Sequence, residues 1–238
     1  MGLANKRIVI LGGTSGIGLQ VGKLAAAEGG QVVLASSNPT KVDAAKDAVP
    51  GAEGGLIDVL SESSIEAFFA EIGPFDHLVY TAGGPLLVEP LKTLSLPRAQ
   101  AFFGARFWGS FLAIKYAAPN MRAGGSVVLT SGMAARRPRA GLTAVSAVCG
   151  ASESLTRALA VELAPLRVNA VCPGLVRTEL WDSFPAEERQ AMDENAKQRL
   201  LVGRLGEAPE VAEAYLYLMK NGFSTGEVIV TDGGASVA

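Results

Sequence analysis

The chain has 238 residues, 49% of them hydrophobic, with 28 glycines and a formal charge of −2. That is enough material for a substantial core and too apolar for a disordered chain. The small net charge leaves no electrostatic footprint for a nucleic acid, no apolar run is long enough to span a bilayer, and two cysteines with one histidine argue against a disulfide framework or a metal centre.

The opening "MGLANKRIVILGG" carries an apolar stretch of a few residues ending in glycines, and reads as a first strand rather than a signal peptide. The expected setting is a reducing cytoplasm, with no nucleic-acid, membrane or metal partner. Strand patterns follow at "RIVIL" (7–11), "QVVLAS" (31–36), "GGLIDV" (54–59), "DHLVYT" (76–81), "GSVVLTS" (125–131), "RVNAVC" (167–172) and "EVIVTD" (227–232). Helical patterns separate them at 16–29, 62–72, 97–122, 146–163 and 208–220, the second opened by Ser61 as an N-cap. Strands alternating with helices require crossover connections, and crossovers build a parallel sheet covered on both faces. The expected fold is therefore α/β: one doubly wound Rossmann domain over residues 1–238, with about seven parallel strands. His77, inside an apolar strand, reads as structural.

Directly after the first strand stands "GGTSGIG" (12–18), running into the first helix. Gly12, Gly16 and Gly18 permit a tight turn and close backbone approach, with Thr14, Ser15 and Ile17 between them. The helix that starts there points free N–H groups at an anion. A glycine loop between a strand and a helix is the context that a dinucleotide phosphate requires. At the end of the second strand, where an NAD site places a carboxylate, the chain reads "ASSNPTK". Ser36, Ser37, Asn38 and Lys41 suit a 2′-phosphate, so the expected cofactor is NADP(H).

The spacing of these glycines resembles that of the short-chain dehydrogenase/reductase family, and further matches follow in order. "IDV" (57–59) resembles the segment in which Asp58 and Val59 would contact the adenine. "DHLVYTAGG" (76–84) is similar to the family's "D-x-L-V-N-N-A-G", with Tyr80 and Thr81 in place of two asparagines and Ala82 and Gly83 beside the cofactor. "VNAVCPGLVRTE" (168–179) resembles the nicotinamide segment and implicates Pro173, Gly174, Val176 and Thr178. The resemblance covers essentially the whole chain. It implies a substrate lid at about 178–204, in which Trp181, Phe184 and Met192 suit an apolar ligand. It also implies a homodimer or homotetramer, for which the apolar "AFFGARFWGSFLAIKYAA" (101–118) and the helix at 146–163 are the pairing surfaces.

The same resemblance exposes a departure. The family carries Tyr-x-x-x-Lys, a Ser about thirteen residues before that Tyr, and an Asn on the preceding helix. In the register set by "LTRALAVELA", Val145 and Cys149 occupy the Tyr and Lys positions, Gly132 follows Ser131 at the Ser position, and Arg106 stands for the Asn. Substitutes within reach in sequence are Ser131, Thr143, Cys149 and Arg106. The basic loop "GMAARRPRAG" (132–141) brings Arg136, Arg137 and Arg139 toward the cleft, either as recruiters of an anionic substrate or as a solvated surface. Two readings stand. One is an NADP(H)-dependent oxidoreductase with an atypical centre, moving hydride to or from a small carbonyl, alcohol or enone that is anionic or apolar. The other is a non-catalytic NADP(H)-binding sensor, scaffold or inactive partner subunit. A lyase or dehalogenase is disfavoured because the glycine loop is intact.

Overall fold

Seven parallel strands run through the centre of the computed structural model, which describes residues 2–181 and 184–238. In chain order the elements are β1 (Arg7–Leu11), α1 (Gly16–Ala27), β2 (Gln31–Ser36), α2 (Pro39–Ala48), β3 (Glu53–Leu56), α3 (Glu62–Ile72), β4 (Phe75–Tyr80), α4 (Leu96–Phe103) and α5 (Gly109–Ala117). Then come β5 (Met121–Thr130), α6 (Thr143–Glu162), β6 (Arg167–Pro173), β7 (Val176–Arg177), α7 (Ala186–Arg199), β8 (Gly206–Glu207), α8 (Ala208–Lys220) and β9 (Val228–Thr231). The main sheet has the order β3-β2-β1-β4-β5-β6-β9, while β7 and β8 pair separately.

Strand alternation distributes the core between the two faces. Ile8 and Ile10 of β1 pack with Val21 and Ala25 of α1 and with Tyr215 and Leu216 of α8. Val9 and Leu11 turn the other way, onto Phe68 and Phe69 of α3 and Ala113 and Ile114 of α5. Burial of both faces explains why the strands read as continuous apolar runs. His77 lies buried in β4 with its Nδ1 2.9 Å from Ser126 Oγ, as a structural histidine would.

The strand order reverses at β1, which pairs with β2 on one side and β4 on the other. A crevice opens at the carboxyl ends of strands where such a reversal occurs.

Three expected elements differ. The single helix over 97–122 is broken into α4, a π turn at Gly104–Trp108, and α5, and it ends at a 3-10 turn containing Pro119, whose ring removes an N–H from the ladder. The strand over 54–59 stops at Leu56, because Asp58 caps the next turn by accepting from the Leu60 N–H at 3.0 Å. The lid segment holds a helix, α7, whose polar sequence has one buried residue, Ala196, and no apolar stripe to announce it.

Candidate functional site

A cavity of about 1460 Å³ opens at the switch point and runs from the α1 end to the start of α6. Gly12, Thr14, Ser15, Gly16, Ile17 and Gly18 form one wall. Two of these glycines are dictated by contacts. Gly12 has φ +85°, and a Cβ there would sit 2.6 Å from the Ala82 nitrogen; a Cβ on Gly18 would sit 2.3 Å from the Gly12 carbonyl oxygen. Thr81 explains part of that crowding: its Oγ1 donates toward the Leu11 and Gly12 carbonyls, each at 3.2 Å, so it braces the loop from behind.

The first-turn N–H groups of α1 have no carbonyl before them, Ser15 provides no side-chain cap, and the first turn holds no acidic residue. What meets this helix end is Glu179, whose Oε2 accepts from the Gly16 N–H at 2.9 Å. A carboxylate drawn from 163 residues away marks the anion preference of the loop. Sequence reading missed this contact, since no local signal links the two positions.

At the other side of the loop, Ser36, Ser37, Asn38 and Lys41 line the cavity, as do Asp58 and Val59. Asn38 Oδ1 accepts from the Lys41 N–H at 3.0 Å and caps α2. The Lys41 ammonium is exposed and has no carboxylate partner among the described residues. Ala82, Gly83, Pro173, Gly174, Val176 and Thr178 complete the floor beneath the centre of the cavity.

The far end is built by α4, the π turn and α6. Val145, Val148 and Cys149 are buried on one face of α6 and line the cavity, with Leu86, Met133 and Leu142 around them. Thr143 is a correction to the sequence reading. It is exposed and does not line the cavity, because two residues along a helix turn a side chain to the opposite side from Val145. Ser131 does line it, but its hydroxyl hydrogen is directed to the Cys149 carbonyl (3.2 Å) and to Glu153 Oε1 (3.1 Å). Burial pushes the Cys149 thiol up to about 11, with Glu153 adding to the rise and Arg106 opposing it, so the thiol is neutral at pH 7.

Arg106 enters this end from the π turn, where the irregular backbone aims it inward. The carbonyl of Ala105 in the same turn accepts from the Tyr80 hydroxyl. Burial raises the Tyr80 phenol and commits its proton to this structural bond. The guanidinium lies 4.3 Å from the centroid of the Phe102 ring and donates through Nη2 to the Gly84 carbonyl. Burial pulls its pKa below the ordinary arginine value.

Of the basic loop, Arg137 and Arg139 reach the cavity, whereas Arg136 pairs with Glu153 at 3.4 Å. Arg137 donates from Nε to the Ala235 carbonyl at 3.1 Å. From the lid, Trp181 and the end of α7 (Gln198 and Arg199) line the cavity, followed by Leu200 and Leu201. Phe184 and Met192 do not, Phe184 packing its ring against Trp181 instead. Asp182 and Ser183 of the expected lid fall outside the described residues.

Comparison with known proteins follows the same outline. A family model described as "Enoyl-(Acyl carrier protein) reductase" matches residues 12–236. The short-chain dehydrogenase/reductase ATR9 of Stachybotrys chlorohalonatus is 36% identical, over 98% of this chain and 98% of its own. Among solved structures, a small-chain dehydrogenase in complex with NADPH is 36% identical, with a TM-score of 0.87 over 98% of this chain and 100% of the other. The MalC Reductase/Diels-Alderase of Malbranchea aurantiaca is 33% identical, with a TM-score of 0.91 over 99% and 97%.

Proposed function

The chain belongs to the short-chain dehydrogenase/reductase family, and we propose that it is an NADP(H)-dependent oxidoreductase whose hydride-transfer centre works without the family's Tyr/Lys pair. The observation that carries this reading is one continuous cavity. It joins an anion-seeking helix end, which already draws Glu179 to its Gly16 N–H, to a largely apolar chamber lined by the half-buried Arg106. A binding-only protein needs the first feature and has no use for the second.

The residues present fit the cofactor. The Gly18 cradle is one that a Cβ would fill, the α1 N–H groups suit a pyrophosphate, and the exposed Lys41 with Ser36 and Ser37 suits a ribose 2′-phosphate. That the 36% identical solved relative holds NADPH supports the same choice. Such a cofactor, when bound, supplies a hydride at the nicotinamide. The protein's part is then to seat Thr178 and Val176 against that ring and to close the chamber with the segment at about 178–204, which we assign as the lid. Val145 and Cys149 cannot replace the phenol and ammonium of the usual pair: one has no proton to give, and the other is an uncharged thiol. A centre so built depends on preorganised charge rather than on a general acid.

We further assign a homodimer or homotetramer. The exposed aromatics Trp108 and Phe111, in edge contact at 6.2 Å, and the exposed Val161 of α6 lie on the helices that would pair.

The test is a fluorescence titration. NADPH is expected to bind at least tenfold tighter than NADH, about 1.4 kcal/mol, and Ser37→Asp to reverse the order by setting a carboxylate beside the phosphate. Equal affinities in the parent would remove the NADP(H) assignment. Saturable NADPH oxidation against any member of a carbonyl and enone panel would exclude the binding-only reading.

A further inference from the structure

Arg106 is a half-buried cation that lines the cavity. Among the described residues no carboxylate forms an ion pair with it; the titratable groups facing it are the Cys149 thiol and the Tyr80 phenol, both held neutral by burial. One of its five N–H donors is taken by the Gly84 carbonyl and one face by the Phe102 ring. The remaining donors have no protein acceptor among the described residues, and the side chain lines the cavity. The cavity it lines also presents the apolar side chains of Val145, Val148, Leu86 and Leu142. A half-buried cation with free donors facing a cavity, and no carboxylate beside it, is poised to receive an anionic ligand.

The alternatives within the cavity differ in kind. Arg137 and Arg139 are exposed, so water and salt already satisfy them, and they discriminate weakly among anions. Glu179 at the opposite end is committed to α1. The cation best shielded from water at this end of the cavity is therefore Arg106. Its planar fork matches two coplanar oxygen lone pairs, and the apolar walls beside it match a flat hydrocarbon body.

We propose that Arg106 is the receptor for a planar, delocalised oxygen anion on an apolar body, and that the ligand of this chamber is a conjugated acid or the enolate of a conjugated carbonyl. For its role beside the cofactor this rests on the oxidoreductase reading, since an enolate oxygen is where charge gathers when a conjugated carbonyl accepts hydride. The binding site itself does not depend on that reading. The two sources share one chemistry: a carboxylate conjugated to a ring, and an enolate within one.

The experiment uses calorimetric titration of the purified chain at pH 7 with two anion–neutral pairs: benzoate against benzamide, and the dimedone enolate against its neutral methyl enol ether. The expected result is that at least one anion binds tenfold or more tighter than its neutral counterpart, that this preference falls at least tenfold in Arg106→Leu, and that Arg106→Lys restores part of it. Preference for the enolate alone identifies the conjugated carbonyl as the source, and preference for benzoate alone identifies the acid. The parent measurements need no variant, so a misfolded Arg106→Leu leaves the anion preference decisive. Half-molar sodium chloride should leave the preference largely intact, because the Phe102 ring and the Gly84 carbonyl hold the guanidinium partly out of water. Equal binding of anion and neutral form by the parent overturns the proposal, as does a preference that survives Arg106→Leu or collapses in salt, either of which would place the anion at Arg137 and Arg139. NADPH titration of the same samples separates the two readings: anion preference without NADPH binding removes the oxidoreductase reading alone, and NADPH binding without anion preference removes this one alone.

Discussion

At the α1 end of the cavity the ligand-facing groups are main-chain N–H donors, spaced by glycines that no other residue could replace. At the α6 end they are side chains on helices, set in an apolar wall, with one cation among them. A site made from backbone is constrained by sterics, so its residues are nearly dictated by geometry. A site made from side chains keeps its shape while its chemistry is exchanged, because Val145 and Cys149 pack on α6 whether or not they react. Under the proposed reading, this difference lets one end of the cavity keep the family pattern while the other departs from it.

The largest effect should come from breaking the backbone-built end. In Gly18→Ala the new methyl would meet the Gly12 carbonyl oxygen at 2.3 Å and Thr81 Oγ1 at 2.4 Å, and the loop would have to shift. NADPH affinity should fall by about 100-fold, roughly 2.7 kcal/mol, as read by fluorescence titration. Retained affinity would mean that the loop does not hold the phosphates.

The same contrast sets what could be read from the sequence. The glycine loop, the alternating strands and the Ser36–Lys41 stretch announce themselves locally, since turn geometry and strand periodicity are properties of neighbouring residues. The seven-stranded parallel sheet followed from that periodicity. Three things did not follow. The π turn that carries Arg106 is met by the Tyr80 hydroxyl, which reaches the Ala105 carbonyl from the end of β4. The Glu179 contact with Gly16 bridges distant parts of the chain. The exposure of Thr143 depends on where α6 begins, and the helical pattern had set that start at residue 146 rather than Thr143. Each is a tertiary fact with no local signature.

A pH scan separates the stability of the scaffold from the chemistry of either end. Burial lowers the His77 pKa from 6.5 to about 4, with Arg167 and Lys6 reinforcing the shift and Asp76 opposing it. The folded chain therefore holds His77 neutral, while the unfolded chain takes up a proton below pH 6.5. Stability present above that pH is lost as the pH falls toward 4, by roughly 3 kcal/mol if the full shift is expressed. Urea unfolding at pH 7.5 and 4.5 measures the loss, and His77→Gln should flatten it. Asp76, held below its ordinary value by Arg7, Lys6 and Arg122 against the opposing effect of burial, adds its own loss only at lower pH. A slope unchanged in His77→Gln would assign the acid sensitivity elsewhere.

The smallest expected effect tests whether the side-chain end has kept its shape while changing its chemistry. Val145 and Cys149 sit one helical turn apart on the cavity face of α6, so under the proposed register Val145→Tyr with Cys149→Lys would restore the phenol and ammonium of the family's pair. The new lysine would stand beside Arg106, whose charge already reaches Cys149, and two cations so close in an apolar wall oppose one another. It would also stand against Gly132, which packs so near that a Cβ built there would come within 3.1 Å of Cys149 Sγ. The double variant should therefore gain only about tenfold in NADPH-dependent reduction of an isolated ketone such as cyclohexanone, well short of the 10²–10⁴ that a general acid typically contributes. Adding Arg106→Asn should raise the gain further by removing the opposing charge, while Val145→Tyr alone should gain least, since nothing would lower its pKa. The rate–pH profile of the best variant should show one new ionisation of the phenol. If variants that fold and bind NADPH show no rise in this series, the chamber is not shaped for carbonyl reduction, and the wall around Arg106 serves binding alone.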